Sequence, residues 1–123
     1  MILVDTSVWI DHLRTGNAGL TEQLKQNRVT MHPMVLGELA CGNLQNRAQL
    51  LQLWQQLTSL PTATQKEALY FIDQHQIMGK GIGFIDVHLL ASVALAAGTT
   101  LWTRDKRLAR IAGEMQCAWE KPR

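Results

Sequence analysis

Ile2-Leu3-Val4-Asp5-Thr6-Ser7 sets the architecture of this chain. Three apolar residues in a row, two of them β-branched, make a short buried strand. The next three can each cap a helix, so strand passes into helix at once. The same succession recurs downstream. Residues 28–32 read as a second strand, after which Pro33 suits a first helical turn and residues 34–41 continue as a helix that Gly42-Asn43 can end. Residues 99–102 read as a strand and 105–112 as a helix. Strands that alternate with helices form a mostly parallel sheet with helices on both faces, so the fold class is α/β.

Between these units, residues 8–14 and 20–27 are expected as helices separated by Gly16-Asn17. Residues 46–59 are expected as one long amphipathic helix, with Leu50, Leu53, Trp54 and Leu57 on its apolar stripe. Residues 60–63 would add a brief strand, 65–78 a further helix, and 117–119 a final short strand. Residues 84–97 are apolar nearly all round, the mark of a buried helix ended by Gly98. Gly79-Lys80-Gly81-Ile82-Gly83 is a flexible loop; it lacks the following Lys-Ser/Thr of a phosphate-binding loop. The chain has 123 residues, which suits one domain over 1–123 with a sheet of four or five strands.

The formal net charge is only +2, too small to imply a nucleic-acid partner by itself. Two cysteines, Cys41 and Cys117, lie far apart and suggest neither a disulfide framework nor a zinc site. No basic segment leads into an apolar run at the start, and no stretch is long and apolar enough to span a bilayer, so a cytoplasmic setting is expected. The histidines, His12, His32, His75 and His88, have no ligand-like spacing and read as surface or packing residues.

The chemistry lies in four acids. Asp5 and Asp105 each follow a strand and start a helix, so each is also placed to be an ordinary N-cap. Asp86 can cap too, but Phe84, Ile85, Val87, Leu89 and Leu90 around it imply burial, and a buried carboxylate needs a partner, a shifted pKa or a metal. Glu38 lies too far into its helix to cap it and is flanked by apolar and small residues, although a place on the polar stripe is open to it. In an open parallel sheet, sites gather at the carboxyl ends of the strands beside the switch point, where all four acids would fall. Four carboxylates there repel by roughly 4 kcal/mol per pair at about 4 Å. A hard cation removes that cost, and oxygen-only ligands favour Mg²⁺ or Mn²⁺. Such a centre suits phosphodiester hydrolysis. With those four set aside, twelve basic residues face six acidic ones, a surface that would favour a polyanion, against the alternative of ordinary solubility, which charge alone favours.

The segments around these acids, Ile2-Leu3-Val4-Asp5-Thr6-Ser7-Val8-Trp9, Leu36-Gly37-Glu38-Leu39, Phe84-Ile85-Asp86-Val87-His88-Leu89-Leu90-Ala91 and Leu101-Trp102-Thr103-Arg104-Asp105-Lys106-Arg107-Leu108, resemble in order and spacing a PIN-domain nuclease of the VapC-type toxin class. The resemblance implies a three-layer α/β/α fold and an Mg²⁺- or Mn²⁺-dependent endoribonuclease. It assigns Asp5, Glu38, Asp86 and Asp105 to the metal, and the hydroxyls of Thr6, Ser7 and Thr103 to supporting them. It further implies a toxin that cuts transfer, ribosomal or messenger RNA to stop translation. Its partners would be a VapB-type antitoxin that neutralises it and a second copy in a homodimer, with larger toxin–antitoxin assemblies open. Arg14, Lys80, Arg104, Arg107 and Arg110 are candidates to grip RNA phosphates, against the alternative of a solvated helix face. Two other readings stand beside this one. A receiver-type phosphoacceptor would want adjacent acids after the first strand, where Thr6-Ser7 stand instead; a non-catalytic PIN-like binding module would have little need of intact acids.

Overall fold

A computed structural model describes residues 1–122. Four strands, β1 (Ile2–Val4), β2 (Val29–Met31), β3 (Thr58–Ser59) and β4 (Thr100–Trp102), form one sheet in the order β3-β2-β1-β4, and every pairing is parallel. Helices α1 (Thr6–Thr15) and α2 (Ala18–Lys25) connect β1 to β2; α3 (Pro33–Ala40) and α4 (Arg47–Gln55) connect β2 to β3. Helices α5 (Gln65–His75) and α6 (Phe84–Leu95) then carry the chain back to the far side of β1, where β4 pairs with it, and α7 (Lys106–Glu114) follows. The result is the three-layer α/β/α arrangement expected.

Strand order therefore reverses between β1 and β4, and that seam is the switch point. It is closed by the register Ile2↔Thr100, Leu3↔Leu101 and Val4↔Trp102, and one step beyond by Asp5 N–H donating to the Trp102 carbonyl at 2.9 Å. β1 is buried throughout and seats its side chains among Val8, Leu20, Val35, Leu89, Leu90, Leu101 and Leu108. Burying a side chain of this size stabilises by about 1.5–3 kcal/mol. The seam is thus held by the core on which it rests.

Local signals set the helix ends. Asp5 caps α1, and Gly16 ends it at φ +76, a conformation only glycine takes without strain. Asn17 caps α2 through the Leu20 N–H. Thr64 and Glu67 form a reciprocal capping box at α5, which holds the exposed Glu67 carboxyl below its ordinary range. His32 caps α3, its Nδ1 accepting from Met34 N–H at 3.0 Å.

Three expectations need correction. The helix expected over 46–59 stops at Gln55, and Thr58-Ser59, rather than 60–63, makes the edge strand, paired Thr30↔Thr58 and Met31↔Ser59. The unsatisfied edge of β2 outcompetes the helical pattern there. Residues 117–119 do not form a full strand: one isolated bridge links Leu101 and Ala118, so the sheet has four named strands. Helix α6 is buried only in its middle, from Val87 to Val93; Phe84, Ile85 and Leu95 at its ends are exposed.

Candidate active site

At the carboxyl end of β1, Asp5 is buried and both its oxygens are engaged. Oδ1 accepts from Thr6 N–H at 2.8 Å. Oδ2 accepts from the Thr103 hydroxyl at 2.7 Å and the Ser7 hydroxyl at 3.0 Å. Each hydroxyl in turn accepts from the backbone beyond β4: Thr103 from Asp105 N–H at 3.1 Å, and Ser7 from Arg104 N–H at 3.0 Å. A short strand end alone would leave Asp5 free to rotate. These bonds lock it across the seam and tie it to the turn that carries Asp105.

Asp105 itself caps α7, its Oδ1 accepting from Arg107 N–H at 2.9 Å and Leu108 N–H at 3.0 Å. Glu38 joins from α3: Thr6 donates from its hydroxyl to Glu38 Oε1 at 2.7 Å. Asp86 lies in the first turn of α6, where Gly83 N–H donates to its Oδ2 at 3.3 Å. Of the three hydroxyls, those of Ser7 and Thr103 donate to Asp5 and that of Thr6 donates to Glu38.

Two features differ from the sequence expectation. Glu38 is exposed, because α3 turns Val35 and Leu39 to the core and Glu38 outward. Asp86 is half-buried and does serve as a cap residue, which the sequence left as the lesser reading. Its electrostatics nevertheless set it apart. Burial raises the Asp86 carboxyl above its ordinary pKa, Gly83 N–H opposes this, and the charges of Asp5, Asp105 and Glu38 raise it further. The charges of the other three acids therefore reach Asp86.

Among the described residues, no three His, Cys, Asp or Glu side chains are already drawn together as a ligand cage. The donor set still fits a hard divalent cation. It consists of carboxylate oxygens alone, and the repulsion felt at Asp86 is what such an ion would relieve. One oxygen each of Glu38, Asp86 and Asp105 accepts no hydrogen bond from the described residues. Those atoms are the ones left for an ion or its waters.

The five basic candidates separate into three places. Arg104 forms an ion pair with Asp11 of α1, ninety-odd residues away in sequence and signalled by no motif. Arg14, at the other end of α1 from Asp5, borders a hollow of about 430 Å³ with Ile10, Leu13 and Leu44. Lys80, Arg107 and Arg110 line another, between the glycine loop and α7. The Trp54 side chain is buried edge-to-face against Trp9 at 5.8 Å, in keeping with a core role, while Leu53 on the same helix is exposed. His32, expected at the surface or in packing, is the buried cap of α3; its Nε2 has no hydrogen-bond partner among the described residues.

A three-layer sheet with acids at its switch point defines a class, and the PIN domain family model matches residues 2–114. The chain belongs to the PIN domain family. It is 46% identical over 114 residues to Ribonuclease VapC32 of Mycobacterium tuberculosis, in strain H37Rv and in strain CDC 1551 alike, covering 93% of this chain and 92% of that protein. Among solved structures it is similar to PAE2754 from Pyrobaculum aerophilum, with TM-score 0.65 and 17% identity over 96% of this chain and 87% of that one. FitAcB from Neisseria gonorrhoeae gives TM-score 0.63 and 21% identity, over 92% and 94%. FitAB bound to a DNA fragment gives 0.59 and 19%, over 92% and 91%. These structures show the fold. Family membership sets aside the receiver-type reading. No helix among the described residues is long and apolar enough to cross a membrane.

Proposed function

We propose that this chain is a metal-dependent endoribonuclease that hydrolyses RNA phosphodiester bonds as the toxin of a toxin–antitoxin pair. The observation that carries this is Asp5 bonded at the β1/β4 seam by the Thr103 and Ser7 hydroxyls, with Glu38 joined to it through Thr6 and with the charges of Asp5, Asp105 and Glu38 acting on Asp86. The close likeness to a protein named as a ribonuclease supports it. Asp5, Glu38, Asp86 and Asp105 would hold the ion directly or through its waters. When bound, Mg²⁺ or Mn²⁺ supplies a Lewis acid for the scissile phosphate and lowers the pKa of the attacking water. The chain's own part is to keep Asp5 in one orientation, to hold Glu38 toward it through Thr6, and to orient the Asp86 carboxyl through the Gly83 N–H.

Regulation follows from the same reading: a VapB-type antitoxin would neutralise the enzyme in the cytoplasm, and two copies would form a dimer. The test is incubation of labelled RNA with purified chain and Mg²⁺ or Mn²⁺. Cleavage should stop with chelator and in Asp5→Asn and Asp86→Asn. Cleavage that persists in all three would sink the metal mechanism. Co-expression with the neighbouring reading frame should yield a co-purifying complex without nuclease activity; a free, active chain from that experiment would refute the antitoxin assignment.

A further inference from the structure

The loop at 79–83 and helix α7 enclose a hollow of about 260 Å³ lined by Lys80, Arg107, Arg110, Ile111 and Glu114. Its charge is lopsided. Lys80 meets Glu114 at 3.5 Å, with both side chains largely exposed, a pairing worth little in water. Arg107 and Arg110 have no carboxylate partner among the described residues. Three cations thus face one anion.

The hollow is also built rather than incidental. Leu108, Ile111 and Ala112 are the buried residues of α7 and fix the helix as a platform, Ile111 reaching the floor of the hollow. Gly81 has φ +82, and a Cβ there would come within 2.8 Å of Arg107 Cδ and 2.9 Å of its Nη1. A side chain at 81 would displace the Arg107 side chain from its place along the loop backbone. Both walls run straight into the acidic edge. Two residues past Gly81, Gly83 N–H donates to Asp86; Arg107 N–H donates to Asp105.

Carboxylates alone repel a polyanion, so a strand cut there has to be held by cations alongside. Arg104 lies outside this hollow, facing Asp11, and Arg14 stands at the far end of α1. We propose that this hollow is the subsite that holds an RNA phosphate beside the carboxylates. Arg107 and Arg110 grip it through their planar guanidinium groups, and Gly81 is the positioning residue that seats Arg107. The assignment of RNA as the polyanion rests on the function proposed above.

The test measures binding of a labelled single-stranded RNA to full-length Asp5→Asn chain by fluorescence anisotropy across a salt series of roughly 50–200 mM, so that cleavage does not intervene. Adding Arg107→Ala with Arg110→Ala should weaken binding at low salt by roughly tenfold. It should also flatten the dependence of log K on log salt by about 0.7 for each phosphate that is no longer neutralised. Arg28→Ala, at the opposite edge of the sheet beside Met1, should change neither. Gly81→Ala should weaken binding in the presence of Arg107 and add nothing once Arg107 is alanine, with thermal unfolding confirming the fold. A purely structural glycine would give additive losses instead.

Binding indifferent to Arg107 and Arg110, or weakened equally by Arg28→Ala, overturns the subsite. If the unsubstituted chain still cleaves RNA with metal in that case, the ribonuclease reading survives. Arginine-dependent binding without metal-dependent cleavage would keep the subsite and refute the ribonuclease.

Discussion

Replacing Thr103 by valine removes one hydroxyl and keeps the β-branched shape. That hydroxyl donates to Asp5 Oδ2 at 2.7 Å and accepts from Asp105 N–H at 3.1 Å, so one bond across the β1/β4 seam and one within the turn that follows β4 disappear. The first is charge-assisted, worth about 1.5–3 kcal/mol, and the second about 1 kcal/mol. The site is only part-buried, so water recovers a share, and the net loss should be about 2 kcal/mol. For a domain of this size that lowers Tm by roughly 8 °C without metal. The second consequence concerns the ion. Asp5 keeps the Ser7 hydroxyl but loses its shorter bond, and loss of an orienting partner of this kind weakens metal binding by about 10–100-fold. At saturating Mn²⁺, a roughly 30-fold weaker Kd removes about 2 kcal/mol of metal-dependent stabilisation. Differential scanning fluorimetry across a Mn²⁺ titration reads both effects, and calorimetry gives Kd directly. A variant whose metal-free Tm falls as expected but whose metal-dependent gain equals that of the parent chain would refute the claim that Thr103 acts through Asp5 on the ion. An unchanged metal-free Tm would refute the hydrogen-bond argument itself.

Asp86→Asn should make the metal-free chain more stable in urea unfolding near neutral pH, while abolishing cleavage. A carboxyl whose folded pKa is raised loses stability as pH rises through its titration, and a neutral amide escapes that loss; a less stable Asp86→Asn would contradict the repulsion seen there. For the same reason, cation binding by the metal-free parent chain should weaken on acidification at a higher pH than an ordinary carboxylate sets, as protons compete for Asp86. His32 behaves oppositely. Burial lowers its pKa from 6.5 to about 4, with His88 second, so its contribution to stability is complete above pH 6.5 and is lost as pH falls toward 4. Across the first one and a half pH units below 6.5 this amounts to about 2 kcal/mol. His32→Asn, whatever its absolute stability, should flatten that part of the profile in urea titrations, and an unchanged slope would count against burial as the cause. Trp54→Ala should cost about 3–5 kcal/mol by opening a void against Trp9, with a matching fall in the urea midpoint; a loss under about 1 kcal/mol would place the ring at an interface rather than in the core.

The alternation of apolar runs with capping residues was enough to establish the parallel α/β class from the chain alone, because strand propensity and capping are local. The strand at 2–4, the caps Asp5 and Asp105, the glycine loop and the four acids could all be read directly. What local reading missed was non-local. Thr58-Ser59 looks helical in sequence and became a strand because β2 offered it an open edge. Glu38 looked enclosed by apolar neighbours, yet the face α3 turns to the core left it exposed. No spacing could announce that Arg104 pairs with Asp11, or that Gly81 lies against Arg107. Residue type sets ligand hardness and charge, so the order of residues was sufficient to nominate candidate side chains for the proposed chemistry. Which of them act together depended on the folded arrangement. Backbone pairing at the β1/β4 seam brings Asp5 to Thr103 across 98 positions, and a hydrogen bond forms only where the fold brings donor and acceptor within about 3 Å.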